Sequence, residues 1–159
     1  IIATNEGSAV SIAIGQYLST KKIPVVYMQN SGLSNALNPL ISIAHKKVYS
    51  IPLILIIGWR GSPRAKDEPQ HNVKGKITEK LLKLLNIKYT IIRSNLDLKK
   101  FDKQIKFAKK NKSIVACLIE KGSLEKNKNP IKKKDTYSLN KELFFKILLE
   151  NISKKQKII

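Results

Sequence analysis

Thr4-Asn5-Glu6-Gly7-Ser8-Ala9-Val10 follows a short apolar run, Ile1-Ile2-Ala3, and opens a long apolar-periodic segment. The run reads as the end of a buried strand. The segment reads as a helix, because Val10, Ile14, Tyr17 and Leu18 recur at helical spacing. Thr4 or Asn5 caps it, since a side-chain oxygen there accepts from the free N–H groups of the first turn. Glu6 then stands in that turn at the carboxyl end of a strand, where open α/β sheets bind ligands. A lone carboxylate there has a plain explanation, for the helix dipole favours it by about 0.3–1 kcal/mol. Two further stretches give it company. One is Tyr27-Met28-Gln29-Asn30-Ser31-Gly32-Leu33-Ser34-Asn35-Ala36. The other is Gly58-Trp59-Arg60-Gly61-Ser62-Pro63, leading to Lys66-Asp67-Glu68-Pro69-Gln70-His71. Each follows another strand-like apolar run.

The 159 residues suffice for one compact domain. A hydrophobic share of 42% and a charged share of 26% are an ordinary globular balance, which excludes disorder throughout. No apolar run approaches the roughly 20 residues of a membrane span. The longest, residues 51–57, is strand-sized and contains Pro52. No signal-peptide pattern is read, and the lone Cys117 cannot close an internal disulfide. A cytoplasmic protein is expected. Cys117 sits among Val115, Ala116, Leu118 and Ile119, as a small buried hydrophobe would. The first residue is Ile, inside a strand-like run, so an N-terminal portion is expected to precede it. The net charge of +20 suggests an anionic partner. Yet Arg occurs only at Arg60, Arg64 and Arg93, so nearly all of the 31 basic residues are Lys spread over polar positions. Nucleic-acid readers lean on Arg forks, which makes specific nucleic-acid binding a poor expectation.

Further strands are expected over residues 25–28, 53–57, 89–92 and 114–119, and helices over 35–44, 77–85, 98–110 and 141–149. Pro39 interrupts the second helix: either Asn35 caps a late start, or the helix kinks. Residues 58–75, with Gly58, Gly61, Pro63, Pro69 and Gly75, read as a long loop, and such loops are usually functional. The helix over 77–85 is expected to pack through Ile77, Leu81, Leu82, Leu84 and Leu85. This alternation predicts an α/β fold, a three-layer, doubly wound, mostly parallel sheet with helices on both faces. Residues 1–122 are read as the domain, and 123–159 as a Lys-rich linker or arm ending in a short helix.

In a parallel sheet, Glu6, the amides from Gln29 to Asn35, and the cations and histidine from Arg60 to His71 share one rim. Each has a structural explanation as well: capping for Asn30, Ser31 and Asn35, solvation for Arg60 and Lys66, a loop position for His71. Trp59 reads as a rim aromatic. No zinc-ligand spacing, Walker loop, Gly-x-Gly-x-x-Gly or Gly-x-Ser-x-Gly turn is present. A metal held by this chain is not expected.

Thr4-Asn5-Glu6-Gly7, Val26-Tyr27-Met28-Gln29-Asn30-Ser31-Gly32-Leu33, Tyr49-Ser50-Ile51-Pro52, Gly58-Trp59-Arg60-Gly61 and Lys66-Asp67-Glu68-Pro69-Gln70-His71 together resemble phosphonopyruvate decarboxylases. These are thiamine-diphosphate-dependent lyases, with sulfopyruvate decarboxylase a near relative. The resemblance covers the pyrimidine-binding domain, about residues 1–122. It implies that Glu6 hydrogen-bonds the aminopyrimidine of thiamine diphosphate and drives its tautomer, a task suited to a buried carboxyl of raised pKa. It implies that Gln29, Asn30, Ser31, Gly32 and Asn35 bind the cofactor. Arg60, Lys66 and His71 would meet the small 2-oxo acid substrate, with His71 also transferring a proton.

The family also needs a second domain that holds the diphosphate through Mg2+, usually opening with Gly-Asp-Gly, and this chain has no Gly-Asp-Gly. The resemblance also implies that the first strand and helix of the pyrimidine domain are to be expected outside this stretch. The expectation is therefore an incomplete enzyme, working in an oligomer with a diphosphate-binding subunit or domain. Two alternatives are the alpha subunit of sulfopyruvate decarboxylase and a basic, non-catalytic binding module.

Overall fold

The computed structural model describes residues 1–124. The arm expected over 123–159, with its helix at 141–149, falls almost wholly outside the described residues. Helix α1 spans Glu6–Thr20 and leads into strand β1, Val25–Gln29. A 3-10 turn, Asn30–Ser34, follows, then the short helix α2, Leu37–Pro39, which widens into a π turn, Leu40–Ala44. After it come β2, Ile54–Trp59; α3, Pro69–Leu84; β3, Lys88–Ile92; α4, Asn95–Asn111; and β4, Val115–Glu120.

The four strands form one parallel sheet in the order β1-β2-β4-β3. Register aligns Val26 with Leu55 and Leu55 with Ala116. β2 lies between β1 and β4, which is why its run of Ile and Leu is apolar on both faces. One face carries the main core. There Val10, Ala13 and Ile14 of α1, Leu33, Leu40 and Leu82 pack with Val26, Met28, Leu55, Ile57, Trp59, Ala116 and Leu118. On the other face, α4 packs Ala108, Phe101, Ile105 and Phe107 over Ile54, Val115 and Ile56. The three-layer α/β expectation therefore holds. The step from β3 back to β4 reverses direction across the sheet, so a right-handed crossover puts α4 on the face opposite α3.

Several local expectations need correction. Ile1 and Ile2 are fully exposed and Ile1-Ile2-Ala3 joins no strand. In α1, Leu18 is 53% exposed and Ala13 takes its place on the buried stripe. The expected helix over 35–44 is broken into 3-10, α and π turns, with Pro39 closing the α portion. α3 starts at Pro69, not Ile77, because proline suits the first helical position, where no N–H is needed. Its buried residues are Gly75, Thr78 and Leu82, while Ile77 and Leu84 face outward. Hydropathy alone misplaces that stripe because two of its members are a glycine and a threonine. α4 begins three residues before the expected start, through a capping box between Ser94 and Asp97. Cys117 is buried as expected, which pushes its thiol up to about 11 and leaves it inert.

Candidate active site

Asn5, rather than Thr4, caps α1, its Oδ1 accepting from the Ser8 N–H at 2.8 Å. That places Glu6 in the first turn. Although residues 1–5 lie in no strand, its side chain reaches the 3-10 turn just beyond the carboxyl end of β1. A Cβ on residue 32 would stand 2.1 Å from the Glu6 Cδ and Oε1, so only glycine leaves room for this carboxyl. Asn35 Nδ2 donates to Glu6 Oε2 at 3.0 Å. The carboxyl is half-buried. The Asn35 amide is the largest influence on it and, with the backbone of Glu6, lowers its pKa from 4.5 against the smaller upward pull of burial. In this chain the carboxyl is thus poised toward its ionised form, contrary to the expectation from burial. Glu6 and Asn35 also line a groove of about 800 Å³ between α1 and the free edge of β1.

The other amides divide their work. Gln29 is exposed and its Oε1 accepts from the Ser31 hydroxyl at 2.8 Å. Asn30 is buried and fully engaged. Its Nδ2 donates to the Arg60 carbonyl at 2.9 Å and to Thr78 Oγ1 at 3.0 Å, and its Oδ1 accepts from the Arg60 N–H at 3.1 Å. The side chain thus mimics a peptide and extends the ladder between the ends of β1 and β2. Asn30 braces the rim rather than presenting a free amide to a ligand.

Arg60 is also engaged. Its Nε donates to Asp67 Oδ2 at 2.7 Å and its Nη2 donates to Oδ1, a bidentate pair. Asp67 accepts as well from the N–H groups of Gly61 and Glu68, both at 2.9 Å. The Arg60 guanidinium, with these two N–H groups, holds its carboxyl well below the usual range. The expected loop over 58–75 is therefore a short clasped turn between β2 and α3. Gly61 has φ +66° and packs on the backbone of His71, and a Cβ on Gly75 would stand 1.6 Å from the Gly61 carbonyl oxygen. Trp59 is buried rather than at the rim, and its indole N–H donates to the Gly75 carbonyl at 3.0 Å. His71 lies in the first turn of α3 with a buried, unpartnered Nδ1 among the described residues. Lys66 is exposed and makes no ion pair among the described residues.

The fold thus gathers two clusters around one turn. Glu6, Gly32 and Asn35 form the first; Asn30, Arg60 and Asp67 form the second. No hydrogen bond among the described residues joins Glu6 to Arg60, Lys66 or His71. Sequence reading passed over Asp67 and Thr78. Asp67 carried a signal, lying one turn-length from Arg60 and just before the Glu-Pro start of α3; Thr78 carried none.

Comparison with known proteins bears on these residues. The model of the family described as thiamine pyrophosphate enzyme, N-terminal TPP binding domain, matches residues 1–82. Phosphonopyruvate decarboxylase of Streptomyces viridochromogenes is 40% identical over 97 residues, 61% of this chain and 24% of that protein. The Streptomyces hygroscopicus enzyme of the same name is 37% identical over 97 residues, 61% of this chain and 23% of that protein. Sulfopyruvate decarboxylase subunit alpha of Methanococcus maripaludis is 38% identical over 89 residues, 56% of this chain and 51% of that subunit. The chain thus spans about a quarter of the first two relatives and about half of the third. The matched region contains both clusters, Lys66 and His71, and through it the chain belongs to the thiamine pyrophosphate enzymes, within their N-terminal TPP-binding domain.

Proposed function

We propose that residues 1–122 are the pyrimidine-binding half of a decarboxylase that converts 3-phosphonopyruvate to phosphonoacetaldehyde and CO2. The observation that carries this reading is the Glu6 carboxyl lying across bare Gly32, with Oε2 held by Asn35 and no side-chain hydrogen bond to Oε1 among the described residues. The fit to the cofactor is good. The groove of about 800 Å³ beside the half-exposed carboxyl has room for a flat ring whose nitrogen would meet Glu6. When bound, thiamine diphosphate supplies the electron sink that loss of CO2 from a 2-oxo acid requires. Glu6 would hold the pyrimidine nitrogen and exchange a proton with it. Gln29, Ser31 and Gly32 line the ring, while Asn30 and Asn35 keep the turn and the carboxyl in place. Lys66 and the remaining face of Arg60 attract the substrate's anionic groups, and the His71 imidazole moves a proton. Mg2+ and the diphosphate would be held by a partner subunit or domain, and the proposed working unit is an oligomer.

The test is decarboxylation of 3-phosphonopyruvate by this chain mixed with a diphosphate-binding partner, with and without thiamine diphosphate and Mg2+. Cofactor-dependent CO2 release is expected. Its absence from a correctly assembled complex removes the proposal. A second reading, the alpha subunit of a sulfopyruvate decarboxylase, is favoured by relatives of that name that are themselves separate subunits. Competing both substrates on one preparation separates the two. A phosphonate carries up to one more negative charge than a sulfonate, and the cation of Lys66 suits the phosphonate, while Arg60 is already paired with Asp67.

A further inference from the structure

We infer that Asn35 is a positioning residue for Glu6, assigning the two carboxyl oxygens separate tasks: Oε2 is bound by the amide and Oε1 is left to exchange the proton. The inference concerns geometry inside this chain, and its catalytic consequence rests on the thiamine reading above.

Asn35 is fixed from both sides. Its backbone N–H donates to the Gly32 carbonyl at 3.0 Å. Its own carbonyl oxygen lies 2.8 Å from the place a Cβ on Gly7 would occupy, so the start of α1 and the end of the 3-10 turn interlock through two glycines. From that anchor the side-chain amide donates to Oε2 at 3.0 Å, while Cγ, Cδ and Oε1 of Glu6 lie over Gly32. An amide NH2 is a donor only, and a protonated carboxyl has one acceptor oxygen and one hydroxyl. In the orientation seen, with Nδ2 donating to Oε2, the pairing is kept without turning the amide when an arriving proton sits on Oε1. The same donor favours the ionised carboxyl when no proton is present, in keeping with the lowered pKa of Glu6. Asn35 closes the turn with its backbone, and its side chain reaches a carboxyl 29 positions away.

The test titrates the Glu6 carboxyl by 13C NMR in the full chain, assigned by its loss in Glu6→Gln. In Asn35→Ala the pKa is expected to rise toward the ordinary glutamate value, and in Asn35→Asp further still, because the added charge repels the carboxylate. Gly32→Ala keeps Asn35 but displaces the carboxyl, and should raise the pKa as well. In the assembled complex, Asn35→Ala should slow hydrogen–deuterium exchange at the cofactor's thiazolium carbon by about 10- to 100-fold, the scale on which losing a supporting partner costs function at metal sites. An unmoved Glu6 titration in a folded Asn35→Ala chain overturns the inference. That result would leave cofactor-dependent turnover of the parent untouched. Conversely, a moved titration without any thiamine-dependent turnover keeps the pairing and sinks the function instead.

Discussion

Glu6 is the side chain on which the proposed chemistry turns, and its two readings differ by a measurable amount. As a dipole-matched helix start it contributes at most about 1 kcal/mol of stability. As the group that exchanges a proton with the pyrimidine it is worth roughly 100- to 10,000-fold in rate. Glu6→Gln should therefore fold and assemble while thiazolium exchange and decarboxylation fall by that factor. Exchange as fast as in the parent would return Glu6 to its plain role. Asp67 offers a pH test. Its folded pKa is depressed below 3.8, chiefly by Arg60, so its contribution to stability is complete above that ordinary value and is lost as pH falls through the folded one. Melting curves from neutral pH into acid should show the parent losing stability below about pH 4 more steeply than Asp67→Asn, which has no such proton to take up. Matching acid limbs would mean that the clasp with Arg60 does not form in solution.

At the scale of elements, the rim depends on close backbone approaches and one bridging amide. Gly75→Ala places a methyl group against the Gly61 carbonyl, backbone on backbone, with no flexible side chain to give way. The turn between β2 and α3 must then shift, at a cost of about 1–3 kcal/mol or more. Gly15 in α1 is the control, since a Cβ there meets nothing within 4 Å. Gly15→Ala should be neutral or stabilise by up to about 1 kcal/mol. Equal thermal shifts in the two variants would contradict the packing. Asn30→Ala leaves the Arg60 N–H and carbonyl without their side-chain partner, while the Thr78 hydroxyl keeps its bond to the Lys74 carbonyl, and should cost about 1–3 kcal/mol in chemical denaturation. Asn30→Asp should be worse, because a carboxylate cannot donate to the Arg60 carbonyl.

For the whole molecule the net charge of +20 matters most in encounters. Among the described residues no helix is long and apolar enough to cross a membrane. A polyanion should bind weakly, without sequence preference, and with a steep loss as salt rises. Tight, sequence-selective binding to nucleic acid at physiological salt would instead support the basic-module alternative. Catalysis should need assembly: the chain alone is expected to show no turnover, and titrating in a diphosphate-binding partner should restore it to saturation at a fixed ratio. Turnover without the partner would contradict the division of labour proposed between the two halves.

Sequence by itself determined what short-range forces govern. Strands such as Ile54–Trp59 and Val115–Glu120 are legible because β-branched and apolar runs leave few alternatives. The start of α1 is legible because a cap and a dipole act within one turn, and the ordered motifs from Thr4 to His71 reveal the family. Tertiary structure decided which polar side chains are free. Asn30 and Asn35 stand five positions apart in one polar turn, and nothing local tells a brace from a partner of Glu6. Their bonds run to residues 48 and 29 positions away. Arg60 read as a free cation until the turn closed Asp67 onto it. α3 read as beginning eight residues late because its buried stripe opens with Gly75 and Thr78. Each of these outcomes rests on atoms approaching within about 3 Å across the sheet's rim. Strand order and backbone path set that proximity, and neither is written in the local pattern of residues.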